Sequence, residues 1–279
     1  LHRHKGELAG TVKFMFQPGE EGFAGARRMI EDGLLDADPK PDAAFALHIM
    51  PTLPAGKVAG RAGAVTASAD WWEIKVTGNG GHASAPEFAV DPIPVAFEIG
   101  LALQTMVTRR ISVFDPVVIT TTKVTAGTTN NVIPEVAEMI GTLRATSPEA
   151  RARAQEGIRR VAQNIAAAHL ATARVTIHDG YPVAINDPDF AALARDVVQD
   201  LGGKDAYIPM PSPVMGAEDF SFVLQRAPGA MFVLGVMPAD KQPGDPVENI
   251  HSNRMMLNED AMAMGIAMHA AVATKFLAA

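Results

Sequence analysis

Apolar residues along the chain follow two patterns. Short apolar or β-branched runs closed by glycine or proline predict buried strands, and apolar residues repeated every three or four positions predict helices. Near the start, these patterns predict a strand at 12–16, a helix at 24–32 and a strand at 42–49. A strand, a helix and a strand in this order predict two parallel strands of one sheet.

The middle of the chain has a different order of elements. Proline and glycine are frequent between residues 51 and 64, which is typical of a crossing between domains. The patterns then predict strands at 71–77, 117–124, 137–145 and 174–178, with helices at 91–110 and 148–170. The order β-α-β-β-α-β is that of a ferredoxin-like sandwich. We therefore predict an inserted domain at 68–180.

The α/β pattern resumes after this insert. Helices are predicted at 188–201, 217–225 and 258–277, and a buried strand at 230–236. The predicted fold class is α/β, with a discontinuous mixed-sheet domain at 1–67 and 181–279 that the ferredoxin-like domain interrupts. Residues 1–8 resemble the tail of a helix without a capped beginning, so we expect the first domain to be incomplete at its start.

Composition narrows the function classes. The chain has 279 residues, 48% hydrophobic and 20% charged, which suits two globular domains. A net charge of −7 with scattered basic residues argues against nucleic acid as the main partner. Charges interrupt the apolar runs before a bilayer span is reached, and the start is not a signal peptide, so we expect no membrane partner. The absence of cysteine fits a cytosolic protein, and we expect a cytoplasmic location.

Candidate chemistry begins at Glu20 and Glu21, two adjacent carboxylates after the first predicted strand. The chain has no cysteine, so a metal site must use His, Asp and Glu. A divalent ion relieves the repulsion between neighbouring carboxylates, and one of them can then ligate while the other handles a proton from water. Alternatively, the pair caps the N-terminus of the following helix, where the macrodipole favours negative charge. The residues alone leave both interpretations open.

Two histidines extend this candidate site. His48 lies at the end of the second predicted strand, at the sheet edge that we expect to carry Glu20 and Glu21. It is either a ligand or a structural hydrogen-bonding residue. His251 precedes the last predicted helix. Two histidines and one carboxylate, with an open position for water, are used by catalytic zinc sites.

Seven motifs occur in order over nearly the whole chain. They are Phe16-Gln-Pro-Gly-Glu-Glu-Gly22, Ala46-Leu-His48, Gly80-Gly-His-Ala-Ser-Ala-Pro86 with Asp91-Pro92, Asn131-Val-Ile-Pro134, Gly141-Thr-Leu-Arg144, Met215-Gly-Ala-Glu-Asp-Phe-Ser221 and His251. With these motifs the sequence resembles the M20 family of metallopeptidases and aminoacylases. The similarity is to its amidohydrolase branch, which includes hippurate hydrolases, N-acyl-amino-acid deacetylases and indole-acetyl-amino-acid hydrolases.

The resemblance implies a catalytic α/β domain with two divalent metal ions per subunit, interrupted by a lid domain that also forms a homodimer. It implies that Glu20 is the general base that deprotonates water, and that Glu21, His48 and His251 are metal ligands. Zinc, manganese, cobalt and nickel all suit such ligands. The implied substrates are small N-acyl amino acids, hippurate-like or N-acetyl, whose amide bond is hydrolysed.

In the inserted domain, the resemblance implies that His82 polarises the scissile carbonyl across the dimer, and that Asn131 and Arg144 hold the substrate carboxylate. Glu218 is a further substrate-side candidate. Each has a plainer interpretation: His82 orders the preceding turn, Asn131 forms a turn, Arg144 is an ordinary exposed residue, and Glu218, with Asp219, caps a helix.

The sequence departs from the family at two places. Nothing corresponds to the upstream His-x-Cys-Gly-His-Asp segment that supplies further metal ligands, and Glu87 stands where many members have a second histidine. We therefore expect one ion or none at this site. The alternative function is a truncated, catalytically silent chain that retains only dimerisation or ligand binding.

Overall fold

The computed structural model describes residues 1–279. Its strands are β1 (Ala44–Met50), β2 (Val58–Gly60), β3 (Gly63–Thr66), β4 (Ala69–Thr77), β5 (Gly81–His82), β6 (Val117–Ala126), β7 (Val132–Ile133), β8 (Val136–Ala145), β9 (Thr172–Tyr181), β10 (Ala184–Asn186), β11 (Tyr207–Pro209) and β12 (Gly229–Gly235). Its α-helices are α1 (Glu20–Phe23), α2 (Gly25–Glu31), α3 (Pro92–Arg110), α4 (Pro148–Ala168), α5 (Pro188–Gly202), α6 (Ser221–Leu224) and α7 (Met262–Leu277). None of the helices combines the length and the apolar composition that crossing a membrane requires.

The chain divides into two compact units. The first unit contains Leu1–Val65, Ala184–Val214 and Glu218–Ala279, and the second contains Thr66–Val183 and Met215–Ala217. The catalytic and lid roles expected for the two predicted domains, 1–67 with 181–279 and 68–180, stay predictions.

The first unit is built on a mixed sheet with the strand order β1-β12-β2-β11. β1 and β12 are parallel, β12 and β2 antiparallel, and β2 and β11 parallel. Every residue of β12 is buried, which explains its continuous apolar run. Phe232 of this strand packs in one core with Phe190 of α5 and Met268 of α7. Residues from three separate parts of the chain thus complete this core.

The strand predicted at 12–16 does not form, which corrects the predicted β-α-β unit. These residues adopt no regular structure, and the side chains of Phe14 and Phe16 are exposed. A strand requires a neighbour for its backbone hydrogen bonds, and the sheet neighbour of β1 is β12. The parallel partner of β1 therefore comes from the distant segment Gly229–Gly235.

Two smaller predictions also change. The predicted crossing at 51–64 contains β2 and the start of β3. The helix predicted at 217–225 shrinks to α6, because a Glu218 carboxylate oxygen accepts from the Phe220 amide at 3.1 Å. Such a local contact favours a turn over a helix.

The second unit is a four-stranded antiparallel sheet with the order β6-β8-β4-β9. Its elements follow the chain as β4, α3, β6, β8, α4 and β9, and the two helices pack on one face. Asp91 and Ser147 cap α3 and α4 by accepting from the amides of Ile93 and Ala150. Each helix then begins with proline, which is favoured at this position.

Candidate functional site

A tight turn in the first unit places Glu20 and Glu21. The two residues open the single helical turn α1, and α2 follows after Ala24, whose φ of 52° is left-handed. A Cβ on Gly25 would lie 1.5 Å from the carbonyl oxygen of Pro18, so only glycine fits there. The turn is therefore fixed by close backbone packing as well as by its hydrogen bonds.

Asp219 anchors this turn from a distant part of the chain. One of its carboxylate oxygens accepts from the Ala26 amide at 2.8 Å, at the start of α2. The other accepts from the side-chain amide of Gln17, which also donates to Glu218 at 3.3 Å. Asp219 thus caps α2 rather than the helix that follows it in sequence. The sequence did not predict this role of Asp219. The one signal in the sequence was the acidic pair Glu218 and Asp219 within a largely apolar stretch.

Glu20, Glu218 and Asp219 form an acidic cluster. One ligand atom of each lies within 4.8 Å of the others, and Glu218 and Asp219 are buried. The pKa of Glu20 is raised to about 7, mainly by burial and then by the negative charges of Glu218, Glu21 and Asp219. Burial also raises the pKa of Asp219, to about 6. The hydrogen bond from the Ala26 amide opposes this rise, and the nearby Glu218 adds to it. A carboxylate with a pKa near neutrality suits general base catalysis.

Glu21 and His251 meet beside this cluster. Their Oε1 and Nε2 atoms lie 3.6 Å apart, and both side chains are exposed. His251 has a left-handed φ of 71°, which is uncommon outside glycine and clusters at functional sites. Two donors each about 2.0–2.2 Å from one tetrahedral ion lie roughly 3.3 Å apart. The Glu21 and His251 pair therefore fits a divalent metal ion.

His48 lies in β1, and its Nδ1 is 2.6 Å from the carbonyl oxygen of Ile49. Metal-binding histidines commonly hold one ring nitrogen in this way and ligate through the other. The ligand atoms of Glu21, His48 and His251 do not all lie within 4.8 Å of one another. The only three acidic or histidine side chains that meet this criterion are Glu20, Glu218 and Asp219. His48 as a third ligand stays a prediction.

The second unit brings His82 and Asn131 together. His82 in β5 pairs with Val132 in β7, and the carbonyl of Asn131 accepts from the Ala83 amide at 3.0 Å. The Nδ1 atom of His82 accepts from the Ser84 amide at 3.2 Å. A neutral ring that accepts at Nδ1 carries its proton on Nε2. His82 is therefore arranged to donate from Nε2.

Arg144 lies apart from these two residues. It follows the start of β8 at Val136 by eight positions, or about 26 Å of extended chain. Its register partner is Val118, and its guanidinium makes no hydrogen bond or ion pair. Arg144 thus lies near the end of β8, whereas His82 and Asn131 lie near its start.

Comparison with known proteins identifies the class. The model of peptidase family M20/M25/M40 matches residues 1–275, and the chain belongs to this family. The structure is accordingly that of a mixed α/β hydrolase family.

Individual relatives agree with this family. The chain is 37% identical over 281 residues to an IAA-amino acid hydrolase of Arabidopsis thaliana, covering 99% of this chain and 62% of the relative. It is 38% identical to the N-acetylcysteine deacetylase of Bacillus subtilis, covering 95% and 66%. The crystal structure of a dinuclear metal-binding M20 peptidase from Bacillus subtilis superposes with a TM-score of 0.81 at 33% identity, covering 99% and 68%. The chain thus spans about two thirds of the length of these proteins.

Proposed function

We propose that this protein is a metal-dependent amidohydrolase that cleaves the amide bond of N-acyl amino acids. The observation that carries the proposal is the Glu21 and His251 pair, whose Oε1 and Nε2 atoms lie 3.6 Å apart next to Glu20. Burial and neighbouring carboxylates raise the pKa of Glu20 to about 7, which suits a general base. The named relatives include hydrolases of an amino-acid conjugate and of an N-acetyl amino acid, which supports hippurate-like or N-acetyl substrates.

Glu21, His48 and His251 would hold a divalent ion. Their carboxylate and imidazole donors suit zinc, manganese, cobalt or nickel, and the chain has no thiolate to compete. When bound, such an ion supplies Lewis acidity to the amide carbonyl and lowers the pKa of water.

Glu20 moves the proton in this proposal. Its carboxylate takes a proton from the attacking water while the water oxygen bonds to the acyl carbon. The same proton then passes to the amide nitrogen, the C–N bond breaks, and the products are an amine and a carboxylic acid, which releases its own proton to the solvent. A pKa of about 7 allows Glu20 both to accept and to release the proton near neutral pH.

The second unit supplies groups for binding. His82, with its proton on Nε2, would donate to the carbonyl oxygen as negative charge develops there. Asn131 and Arg144 would hold the substrate carboxylate, for which a guanidinium fork is well suited. The separation of Arg144 from His82 along β8 supports a homodimer, in which the two groups of one chain serve different sites.

The proposal is tested with Glu20→Gln, which keeps the size of the side chain and removes the base. Amine release from hippurate and N-acetyl amino acids is measured with added manganese or zinc. We expect the rate to fall by about 10²- to 10⁴-fold, while metal content by native mass spectrometry is unchanged.

The control is Glu31→Gln, which changes an exposed carboxylate of α2 paired with Arg28. It should leave the rate at the wild-type level. A Glu20→Gln protein with wild-type turnover would exclude Glu20 as the base.

The alternative is a silent chain that only dimerises or binds ligand. It is favoured by one observation, that Glu21, His48 and His251 do not form a three-ligand cluster. Wild-type protein that binds N-acyl amino acids but releases no amine from any of them would establish this alternative. The cytoplasmic location stays a prediction.

A further inference from the structure

The sheet of the second unit has one face that α3 and α4 do not cover. On β4, Trp72 and Ile74 are buried against the helices, whereas Trp71, which precedes Trp72, points to the other face and is 42% exposed. On β8, Leu143 is likewise buried and Arg144 is not. We call the uncovered side the open face. It carries Trp71, Glu73, Thr142, Arg144 and His178.

Trp71 and His178 form a stacked pair on the open face. They are direct register partners on β4 and β9, with ring centroids 3.6 Å apart and planes 4° from parallel. Rings stacked across adjacent strands must stand up from the sheet. The second face of the Trp71 ring is therefore turned toward β8, on the side away from His178.

Small side chains lie on that side of Trp71. Its register partner on β8 is Thr142, and the partner of Thr142 on β6 is Thr120. Two neighbouring threonines leave room above the sheet beside the indole ring. The open face thus has a slot with one aromatic wall.

A free cation lies at one end of the slot. Arg144 follows Thr142 by two positions on β8, so it points to the same face and is a diagonal neighbour of Trp71, about 7–8 Å away. Its guanidinium has no partner within the protein. A long side chain at this distance reaches a ligand that stacks on the indole ring.

The opposite end of the slot carries both signs of charge, because Glu73 of β4 and Lys123 of β6 both pair with Ile140 of β8. Glu73 follows Trp71 by two positions on β4 and pairs with Ile140, four residues before Arg144. The Glu73 Oε1 atom lies 3.7 Å from Nε2 of His178, so Glu73 contacts the imidazole ring that stacks on Trp71. Arg144 is the cation next to the Trp71 ring itself, so the carboxylate of a ligand stacked on that ring is placed to pair with Arg144.

We propose that Trp71, Thr142 and Arg144 form a recognition site for a carboxylate that carries an aromatic ring. The ring stacks on Trp71 above Thr142, and the carboxylate pairs with Arg144. This inference rests on the proposed function and names its substrate class, the N-acyl derivatives of aromatic amino acids. Trp71 is then a specificity-determining residue, acting beside the carboxylate-binding Arg144.

The test measures binding, which does not require turnover. N-acetyl-L-phenylalanine and N-acetyl-L-alanine are titrated by calorimetry into the wild-type protein, Trp71→Leu and Arg144→Gln. We expect the wild type to prefer the phenylalanine derivative by about three- to tenfold, as aromatic stacking provides. Trp71→Leu should remove the preference, whereas Arg144→Gln should weaken both ligands.

Two controls accompany these variants. Trp71→Phe keeps an aromatic face and should retain most of the preference, which separates loss of stacking from loss of structure. Phe114→Leu changes an aromatic residue that is 95% exposed outside the sheet and should bind like the wild type.

Equal wild-type affinity for the two ligands would overturn the inference, as would a preference that survives in Trp71→Leu. A preference measured without any hydrolysis would support this site and reject the proposed reaction. Hydrolysis without a preference for the phenylalanine derivative would support the proposed reaction and reject this recognition site.

Discussion

At the residue scale, His269 shows how burial controls a titrating side chain. It lies in α7, and its ring meets Phe45 edge to face at a centroid distance of 5.4 Å. Burial lowers the pKa of His269 below its ordinary value of 6.5. Its neutral form is therefore favoured in the folded protein.

The sign of the resulting pH dependence follows from linkage. As the pH falls below 6.5, His269 is protonated in the unfolded chain but stays neutral in the folded chain, whose pKa is lower. The folded state therefore loses stability until the pH passes the lowered pKa of the folded state. His269→Phe removes that effect. We expect the wild type to lose stability relative to the variant between pH 7.5 and 5, measured by urea unfolding at each pH. A stability difference that does not change with pH would contradict this.

At the element scale, one buried ion pair joins three elements of the second unit. The Asp70 side chain of β4 has no exposed surface and accepts from Nε and a terminal nitrogen of Arg151 in α4, at 2.8 and 2.6 Å. It also accepts from the Gly180 amide of β9 at 3.0 Å. Asp70 therefore fixes α4 to two strands.

Removing Asp70 should be costly because Arg151 is then left partly buried without its carboxylate. We expect Asp70→Ala to lower the free energy of unfolding by about 3–5 kcal/mol. The control is Glu156→Ala on the same helix, which removes an exposed pair with Arg160 and should cost about 0–1 kcal/mol. Chemical denaturation followed by circular dichroism measures both, and similar losses for the two variants would disprove the structural role of Asp70.

At the scale of the whole molecule, an apolar patch adjoins an edge strand. Phe97 and Leu101 lie one helical turn apart on α3 and are 59% and 73% exposed. Val124 of β6 is also exposed, and its register partner is Met139 of the core beneath α3, so it lies on the sheet face that α3 covers. β6 ends the sheet and leaves one row of backbone groups unpaired. An edge strand next to exposed apolar residues fits a second copy of the same chain.

Light scattering should therefore give twice the chain mass of 29.5 kDa. Leu101→Glu places a charge in the patch and should shift the protein to monomer at the same concentration. Arg159→Glu, at an exposed position of α4, is the control and should remain dimeric. A monomeric wild type, or a Leu101→Glu protein that stays dimeric, would reject this interface and the role of His82 across the dimer.

The sequence by itself determined what depends on local periodicity and local caps. The alternation Trp71 to Thr77 and the helical spacing of Val95, Ile99 and Leu103 are properties of neighbouring residues, and the structure has β4 and α3 there. Asp91 followed by proline marks the start of α3 for the same reason. The element order of the second unit was therefore predictable.

Tertiary structure alone decided which distant residues meet. Residues 12–16 have the composition of a strand but lack a hydrogen-bonding neighbour, which no local pattern reveals. Asp219 reaches Ala26 across 193 positions, and His251 reaches Glu21 from the other end of the chain. The near-neutral pKa of Glu20 likewise arises from burial and from carboxylates contributed by a remote segment. The sequence names the reactive residue types, but their spacing and electrostatics exist only once the chain has folded.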